Sequence, residues 1–399
     1  MLKATKVHIY PTNEQAEFLN QQFGAVRFIY NKGLHIISSQ YKRHALSLNA
    51  RRHIKPLLAV AKKSRKYEWL KQYDSIALQQ ACINLNTAFS KFFDKKIPNR
   101  YPKFKRRHDK QSSYHCTSVS FGEDWIKIPK CQSIKARIHW SVKGKLKSIT
   151  LSKTTTGKYY ASLLIDDGSD LPSPLNDIVS SKVVGIDLGL THLVIDSNGQ
   201  KTDNPRFVKR AEKNLRRKQK QLSRKQKGSA NRAKARMLVA KCHEKIANAR
   251  KHFQHTLSKQ LVDENQAIAV ESLKIKNMLK NRKLSKHIAD AAWCSLGTKI
   301  KYKAIAQGKH VVEIDTFYPS SKTCHACGHK VDKMPLNIRT WDCPSCGTTA
   351  IDRDINAALN IKQQGIVKLK AAGLTVSANG GLRQSATSAV AACEVGSLA

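Results

Sequence analysis

The sequence predicts a multidomain protein with an α+β part followed by an α/β part. Three observations lead to this prediction. In the first half of the chain, one short strand comes before segments with helical periodicity, and a run of alternating apolar and polar residues follows them. A later stretch sets short apolar strands beside long helical segments, and it carries two CxxC pairs near its end. The length of 399 residues is sufficient for two or three domains.

The α+β part begins with a strand over residues 3–10, which Pro11 ends. Thr12 and Gln15 have the spacing of a capping box, so a helix is expected to begin there. A second helix is predicted over residues 75–93. Residues 117–166 then alternate with period two and predict a small antiparallel sheet or barrel, with a hairpin connection at residues 154–157 and a linker at 171–177.

In the α/β part, short apolar runs predict buried strands over residues 183–187, 192–196, 267–271 and 310–318. A long basic helical stretch over residues 207–262 separates the second strand from the third, and Gly228 is expected to break it into a hairpin. The glycines of the GIDLG segment are expected to allow close approach of backbone and substrate. The Ser-, Ala- and Gly-rich tail over residues 373–399 is predicted to be disordered.

Charge is the most unusual property of the composition. Lys and Arg total 72 against 28 Asp and Glu, which gives a formal net charge of +44. Such a chain requires a polyanion, and nucleic acid is the usual one. A basic structural protein of the ribosomal type remains the alternative. No apolar run is long enough for a membrane span, and the N-terminus lacks signal-peptide character.

Two basic segments are the candidate nucleic-acid contacts. In the first, cations alternate with rings, so that phosphates and bases can both be bound. Its alternative interpretation is a solvated basic loop whose rings pack on a neighbouring core. The second segment is the start of the long basic helix, where few acids offset the charge. The candidate residues are Arg100, Tyr101, Lys103, Phe104, Lys105, Arg106, Arg107, Lys110, Arg216, Arg217 and Lys218.

Four of the ten cysteines form two CxxC pairs, and 15 residues separate the pairs. Two such turns can direct four thiolates at one tetrahedral Zn²⁺. The four ligands are predicted to be Cys324, Cys327, Cys343 and Cys346. A redox dithiol would need only one pair, and a complete cysteine set leaves no open position for catalysis. One structural zinc ion is therefore expected.

Three carboxylates have positions that suggest a second metal site. Asp187 and Glu271 each end an apolar strand, and Asp354 opens a helix. A carboxylate at the end of a buried strand is costly unless a cation pairs with it. Three carboxylates could hold two Mg²⁺ for phosphodiester hydrolysis. Each acid alone is weak evidence, because strand-end acids are commonly structural. The competing acids are Asp196, Asp315 and Asp352.

Together these segments resemble the TnpB (OrfB) proteins of insertion sequences, which are compact relatives of type V CRISPR effector nucleases. The resemblance covers nearly the whole chain. It rests on YPTNEQ, FGAVRFIYN, LQQACINLNTAFSKFF and YPKFKRR in the first half. In the second half it rests on GIDLGLTHL, AVESLKIKNM, SSKTCHACG with CPSCG, and DRDINAALNI, in that order.

The resemblance implies a particular domain organisation. Residues 1–11 and 112–170 would form a wedge-type β-barrel, with a helical recognition domain inserted over 12–111. Residues 178–318 and 350–372 would form a RuvC-like, RNase H-type nuclease domain. A zinc ribbon over residues 319–349 would be inserted in it. In the family motif the third catalytic acid stands two residues before the Asn, which selects Asp354 over Asp352.

The resemblance also implies RNA-guided cleavage of double-stranded DNA. The partners would be a guide RNA transcribed from the element and the target DNA, with one monomer per guide RNA. No membrane partner is expected, and the location would be the prokaryotic cytoplasm, at the nucleoid. Two alternatives remain open: a guide-independent transposase or resolvase, and a non-catalytic regulator of transposition. The transposase label is the weaker one, since a separate protein of such elements is thought to catalyse strand transfer.

Overall fold

The computed structural model describes residues 1–96, 99–107, 111–138, 144–335 and 337–377. The chain divides into two compact units, Met1–Asp170 and a second that starts at Leu171. Within the described residues, no helix is both long enough and apolar enough to cross a membrane.

The first unit opens with one strand and then turns helical. The predicted capping box is confirmed, because the Thr12 side chain accepts a hydrogen bond from the Gln15 backbone N–H while the Gln15 side chain accepts one from the Thr12 N–H. The third helix is capped by Asp74, whose carboxylate accepts from the Ile76 N–H. The elements are β1 (Leu2–Tyr10), α1 (Asn13–His44), a π-helical turn (Ala50–Ile54), α2 (Lys55–Ala61), a 3-10 helix (Arg65–Gln72) and α3 (Ser75–Phe93).

An antiparallel sheet of half-barrel form completes this unit. Its strands are β2 (Gln111–Cys116), β3 (Ser120–Phe121), β4 (Trp125–Lys127), β5 (Ile134–Arg137), β6 (Lys145–Thr154) and β7 (Tyr159–Asp166), together with β1. The order is β2-β6-β7-β1-β5-β4-β3 among the described residues. The first strand of the chain therefore lies inside the sheet, between β7 and β5. The predicted hairpin connection between β6 and β7 is confirmed.

The helices and the sheet of the first unit share one hydrophobic core. Val7 and Leu163 of the sheet and Leu19 and Leu85 of the helices are all fully or almost fully buried in the same cluster. The alternating burial of β7 explains its sequence period, since every second residue faces this core. Burial of apolar surface from both helices and strands thus stabilises residues 1–170 as one body.

A mixed five-stranded sheet forms the centre of the second unit. Its strands are β9 (Val183–Asp187), β10 (His192–Asp196), β11 (Lys201–Asp203), β12 (Ala267–Glu271) and β13 (His310–Ile314), after a short β8 (Asp177–Val179). The order is β11-β10-β9-β12-β13 within the described chain. Strands β9, β12 and β13 are parallel, whereas β10 and β11 join antiparallel. The last predicted strand ends at Ile314, earlier than expected, because a turn follows it.

Helices flank this sheet. The basic stretch is the predicted hairpin of α4 (Phe207–Ser223) and α5 (Ala230–Glu264), broken where Gly228 takes a φ of 89°. Asp290 anchors the hairpin, since its carboxylate pairs with Arg250 and accepts from the Val208 N–H. The remaining elements are α6 (Ile275–Met278), α7 (Ser285–Ala291), α8 (Trp293–Ala306), β14 (Thr340–Trp341), β15 (Ile351–Asp352), α9 (Arg353–Ala371) and β16 (Thr375–Ser377).

Two glycines let α9 lie directly against the sheet. A Cβ on Gly185 of β9 would collide with the backbone of Ala358 and Lys362, and a Cβ on Gly365 of α9 would collide with Ala269 of β12. The prediction that the glycines of GIDLG leave room for a substrate is therefore wrong for Gly185, because a helix occupies that space. This contact sets the distance between α9 and the strands that carry Asp187 and Glu271.

The chain end differs from the predicted tail. Residues 375–377 form β16, which pairs in parallel with β8, so order extends past Gly373. The pairing joins a strand near the start of the second unit to the segment that follows α9, and Ile178 and Leu369 are buried in one cluster there. The rest of the predicted tail, residues 378–399, lies outside the described residues.

Gly185→Ala is expected to lower the free energy of unfolding by about 1–3 kcal/mol, because the added methyl group displaces the backbone of α9. Chemical denaturation of the full chain measures the effect. Gly297→Ala is the matched control, since a Cβ added there would meet no atom within 4 Å apart from its chain neighbours and the local backbone of α8. That control should gain about 0.5–1 kcal/mol. Equal behaviour of the two variants would contradict the close contact.

Candidate carboxylate and cysteine metal sites

Asp187 and Glu271 are side by side at one edge of the second sheet. Strands β9 and β12 run parallel with Ile186 opposite Val270, so the next residue of each strand is one of the two acids. The carboxyl ends of parallel strands meet at the same edge. Strand register alone therefore places these two acids, which are distant in the sequence, at adjacent positions.

Asp354 reaches the same edge from α9. The helix begins at Arg353, with Asp352 as its N-cap, and it packs on β9 through Gly185. Asp354 therefore stands in the first helical turn, where its charge is favoured by the helix dipole. The like charge of Asp354 raises the pKa of Asp187, which is consistent with two carboxylates at the same edge.

The electrostatics of Asp187 show how unfavourable this arrangement is without a cation. Burial is the largest cause that raises the pKa of Asp187, and the like charges of Glu271 and Asp354 add to it, so that the pKa lies at about 7. The Leu188 N–H, which donates to Asp187, and the nearby Arg353 act in the opposite direction. Burial also raises the pKa of Glu271. Ionising Asp187 as the pH rises toward 7 therefore costs the folded state free energy, and a bound cation would offset that cost.

Arg339 supplies a positive charge to this edge that the sequence interpretation missed. Its guanidinium lies 3.4 Å from the Asp354 carboxylate, and its carbonyl accepts a hydrogen bond from the Arg353 N–H. Among the described residues, the four cysteines are the only group with three or more ligand atoms within 4.8 Å of one another. The three carboxylates are therefore neighbours that do not converge as tightly as the thiolates.

The competing acids have other partners. Asp196 is buried and accepts from the Asn198 and Gln200 N–H groups, which makes it a turn residue. Asp315 is exposed and pairs with Lys368. Asp352 accepts from the Asp354 and Ile355 N–H groups and pairs with Lys201. Asp352 is therefore the N-cap of α9.

The four cysteines come together as the spacing predicts. The Sγ atoms of Cys324 and Cys346 are 3.8 Å apart, and those of Cys327 and Cys343 are 3.6 Å apart. Four thiolates at a Zn–S distance of about 2.3 Å in a tetrahedron have edges of about 3.8 Å. The cluster therefore matches the geometry and the chemistry of a zinc site.

The two CxxC turns have the same backbone construction. Gly328 and Gly347, which follow the pairs, have φ of 77° and 70°, in the left-handed region. Their N–H groups donate to the carbonyls of Cys324 and Cys343, respectively. This closes each turn so that both thiols face the same point. Glycine suits both positions, because a residue without a Cβ adopts a positive φ at little cost.

Two asparagines of α9 tie the first CxxC turn to the helix that carries Asp354. Asn356 and Asn360 are buried, and their amide N–H groups donate to the carbonyls of Ser320 and Thr323. The His325 backbone N–H donates to the Asn356 side-chain oxygen, and the His325 ring Nδ1 lies 3.0 Å from the same oxygen, so the ring contacts this network. Asp187, Glu271 and Asp354 lie at what we call the carboxylate edge of the second sheet. The cysteine cluster and this carboxylate edge are thus both supported by α9.

The first basic segment contains exposed cations and partly packed rings. Tyr101 packs edge-on against Phe89 and Phe92, and its hydroxyl hydrogen-bonds Ser38. The ring is therefore part of an aromatic cluster, as the alternative interpretation states, whereas Phe104 is more than half exposed. The exposed residues with basic side chains are Arg100, Lys103, Lys105, Arg106 and Arg107. Lys110 lies outside the described residues.

The backbone of this segment is held in place by Asn31 of α1. Its side chain donates to the Lys105 carbonyl and accepts from the Lys105 N–H. The Lys105 ammonium lies 4.1 Å from the centre of the Tyr30 ring. These contacts order the segment while its charges remain at the surface.

Helix α4 presents its cations to solvent. It has no buried residue, and its exposed Arg216 pairs at 3.5 Å with Glu212, which also pairs with Lys286. Arg217 is exposed and Lys218 is partly exposed. An interaction with nucleic acid at these residues stays a prediction.

A protein from Streptomyces pristinaespiralis named "Putative RNA-guided DNA endonuclease" is 38% identical to this chain over 373 residues. The match covers 91% of this chain and 89% of the relative. This chain belongs to the TnpB (OrfB) family. Another relative, "Putative RNA-guided DNA endonuclease InsQ" from Escherichia coli (strain K12), is 28% identical over 410 residues and is matched over 99% of its length.

Three family models match successive parts of this TnpB-family chain. A helix-turn-helix model matches residues 1–45, a model described as "Probable transposase" matches 170–282, and the Cas12f1-like TNB domain matches 293–361. The last range includes all four clustered cysteines. A solved Cas12f1–sgRNA–target DNA complex is similar in fold, with a TM-score of 0.52 and 15% identity over 88% of this chain and 83% of that one.

Freshly purified, reduced protein should contain about one Zn²⁺ per chain, because four thiolates already have tetrahedral spacing. Elemental analysis of Cys324→Ser and Cys343→Ser should show loss of this metal. Cys294→Ser is the matched control, since Cys294 is a lone exposed cysteine outside the cluster. Wild-type protein without zinc, or cluster variants that retain a full equivalent, would contradict the assignment.

Proposed function

We propose that this protein is an RNA-guided, Mg²⁺-dependent DNA endonuclease encoded by an insertion sequence. The observation that carries the proposal is the carboxylate edge, where Asp187, Glu271 and Asp354 are neighbours, and where burial together with the like charges of the other two acids raises the pKa of Asp187 to about 7. Like charges are seldom gathered at a partly buried edge unless a cation is bound there. The names of the two relatives support the same activity.

The donor set fits Mg²⁺, which prefers carboxylate oxygens. Asp187, Glu271 and Asp354 would hold it. When bound, Mg²⁺ supplies positive charge for the charge that develops during phosphodiester cleavage. The chain itself positions the acids: strand register places two of them, and the N-cap at Asp352 orients the third. Arg339, beside Asp354, adds a cation that can meet a DNA phosphate.

The mixed sheet with α9 packed on it supports a RuvC-like, RNase H-type domain formed by residues 178–318 and 350–372. Residues 319–349 would be its inserted zinc ribbon. In the first unit, residues 1–11 and 112–170 would form the wedge-type barrel, and residues 12–111 the recognition domain. The guide RNA and double-stranded target DNA are the proposed partners, and the net charge of +44 suits a monomer that binds both at the nucleoid.

Asp187→Asn, Glu271→Gln and Asp354→Asn should each lower cleavage of a guide-matched plasmid by at least about 100-fold, because loss of one carboxylate removes stabilisation of transition-state charge. EDTA should abolish cleavage by the wild-type protein. Binding of the target should remain, since it rests on many Lys and Arg side chains. Wild-type cleavage rates in all three variants would exclude a nuclease at this edge.

Asp352→Asn is the matched control for Asp354→Asn. The amide keeps the capping acceptor for the Asp354 and Ile355 N–H groups and removes only a carboxylate paired with Lys201. This variant should retain most of the activity. If Asp352→Asn were inactive and Asp354→Asn active, the third acid would be assigned to the wrong residue.

Replacing Arg106, Arg107 and Lys110 together with neutral residues should lower the affinity for nucleic acid. It should also make that affinity less dependent on the salt concentration. Each lost phosphate contact lowers the slope of log K against log salt by about 0.7–0.9. Titrations with RNA and with DNA at several salt concentrations measure the slope. A slope equal to that of the wild-type protein for both nucleic acids would identify this segment as a solvated loop.

A further inference from the structure

Phe317 is the most exposed large apolar side chain among the described residues, with 84% of its surface accessible. Single exposed apolar residues are common on protein surfaces. The position of Phe317 distinguishes it from the other exposed apolar residues. Phe317 follows β13 at the edge of the sheet where β9 ends with Asp187 and β12 ends with Glu271. Register places Ile314, the last residue of β13, opposite Glu271.

A tight turn presents the ring to solvent. The Tyr318 N–H donates to the Asp315 carbonyl at 3.2 Å, so Phe317 is the third residue of a four-residue turn. The next residue, Tyr318, packs against the buried cluster that includes Ile314. The turn is thus anchored on one side while the Phe317 ring stays exposed on the other.

A cation lies over this ring. The Lys274 ammonium is 4.7 Å from the centre of the Phe317 ring. Lys274 follows Glu271 by three residues, so it links the ring to the end of β12. The nearby Asp315 is paired with Lys368 at 2.8 Å, which offsets its repulsion of a phosphate. An exposed aromatic face with an adjacent ammonium group can stack a base and bind the neighbouring phosphate.

We propose that Phe317 and Lys274 form a base-stacking subsite for an unpaired nucleotide of the DNA strand that is cut. The inference rests on the proposed nuclease function, because it places the subsite beside the reacting phosphate. The occupant is single-stranded, since the base faces of a duplex are covered by neighbouring pairs. Phe317 acts as a positioning residue that holds one base while its backbone lies at the carboxylate edge.

Photo-crosslinking with 5-iododeoxyuridine tests the contact directly. The label is placed at successive positions of the cut strand in a guide-matched target, bound to full-length protein with its RNA. The Asp187→Asn background keeps the DNA intact. Mass spectrometry should find a crosslink to Phe317 from one or two positions beside the cleavage position. Phe317→Leu should lose this crosslink, and Phe317→Trp should retain one at residue 317.

Cleavage rates give the second measurement. Phe317→Leu should lower the single-turnover rate by about 5- to 150-fold, the factor expected when one stacked base is lost, and Phe317→Trp should restore it. Because the side chain is exposed, these variants should unfold like the wild-type protein. Ile305→Ala is the matched control. Ile305 is another exposed apolar residue, but it lies at the end of α8, shortly before β13 begins, and not at the carboxyl end of β13. The cleavage rate of this variant should equal that of the wild-type protein.

The two proposals fail in different ways. Cleavage by the wild-type protein without a Phe317 crosslink at any position would overturn the stacking subsite and leave the nuclease intact. Equal rates for Phe317→Leu and the wild-type protein would also overturn the subsite. A crosslink at Phe317 in a protein that never cuts would retain the subsite as a binding site and overturn the nuclease.

Discussion

The direct packing of α9 against β9 and β12 is the contact on which the rest of the second unit depends. Gly185 and Gly365 allow this approach, because a methyl group at either position would collide with the facing element. The contact brings Asp354 to the edge where Asp187 and Glu271 end their strands. The same helix supports the cysteine cluster through Asn356 and Asn360. Both candidate metal sites therefore depend on one helix–sheet interface.

This arrangement links the stability of the fold to its charge. Bringing three carboxylates to one partly buried edge raises the pKa of Asp187 and costs free energy when the acid ionises. Local cations offset part of this cost, with Arg339 beside Asp354 and Arg353 near Asp187. Over its whole length the chain has the opposite imbalance, with 72 Lys and Arg against 28 Asp and Glu. An acidic edge within a basic protein suits a site that cuts a bound polyanion.

Local signals in the sequence were sufficient for much of the fold and for the clustering of the four cysteines. The capping box at Thr12, the CxxC turns with Gly328 and Gly347, and the break at Gly228 are short-range patterns, and each is present in the structure. Long-range contacts were not predictable in this way. Three contacts are examples: the pairing of β16 with β8, the ion pair of Arg339 with Asp354, and the packing of α9 over Gly185. Each of them joins residues that are apart in the sequence and depends on how the chain packs. The exposure of Phe317 was hidden because its segment continues the apolar pattern of β13.

The central claim is cleavage directed by RNA, and one measurement tests it directly. Protein purified with its RNA is incubated in Mg²⁺ with two plasmids that differ only in whether they match the sequence of the copurified RNA. The proposed function predicts that only the matched plasmid is cleaved. Cleavage should be lost when the RNA is removed and should return when the RNA is added back. Equal cleavage of both plasmids, or cleavage that persists without RNA, would contradict it and identify a guide-independent nuclease.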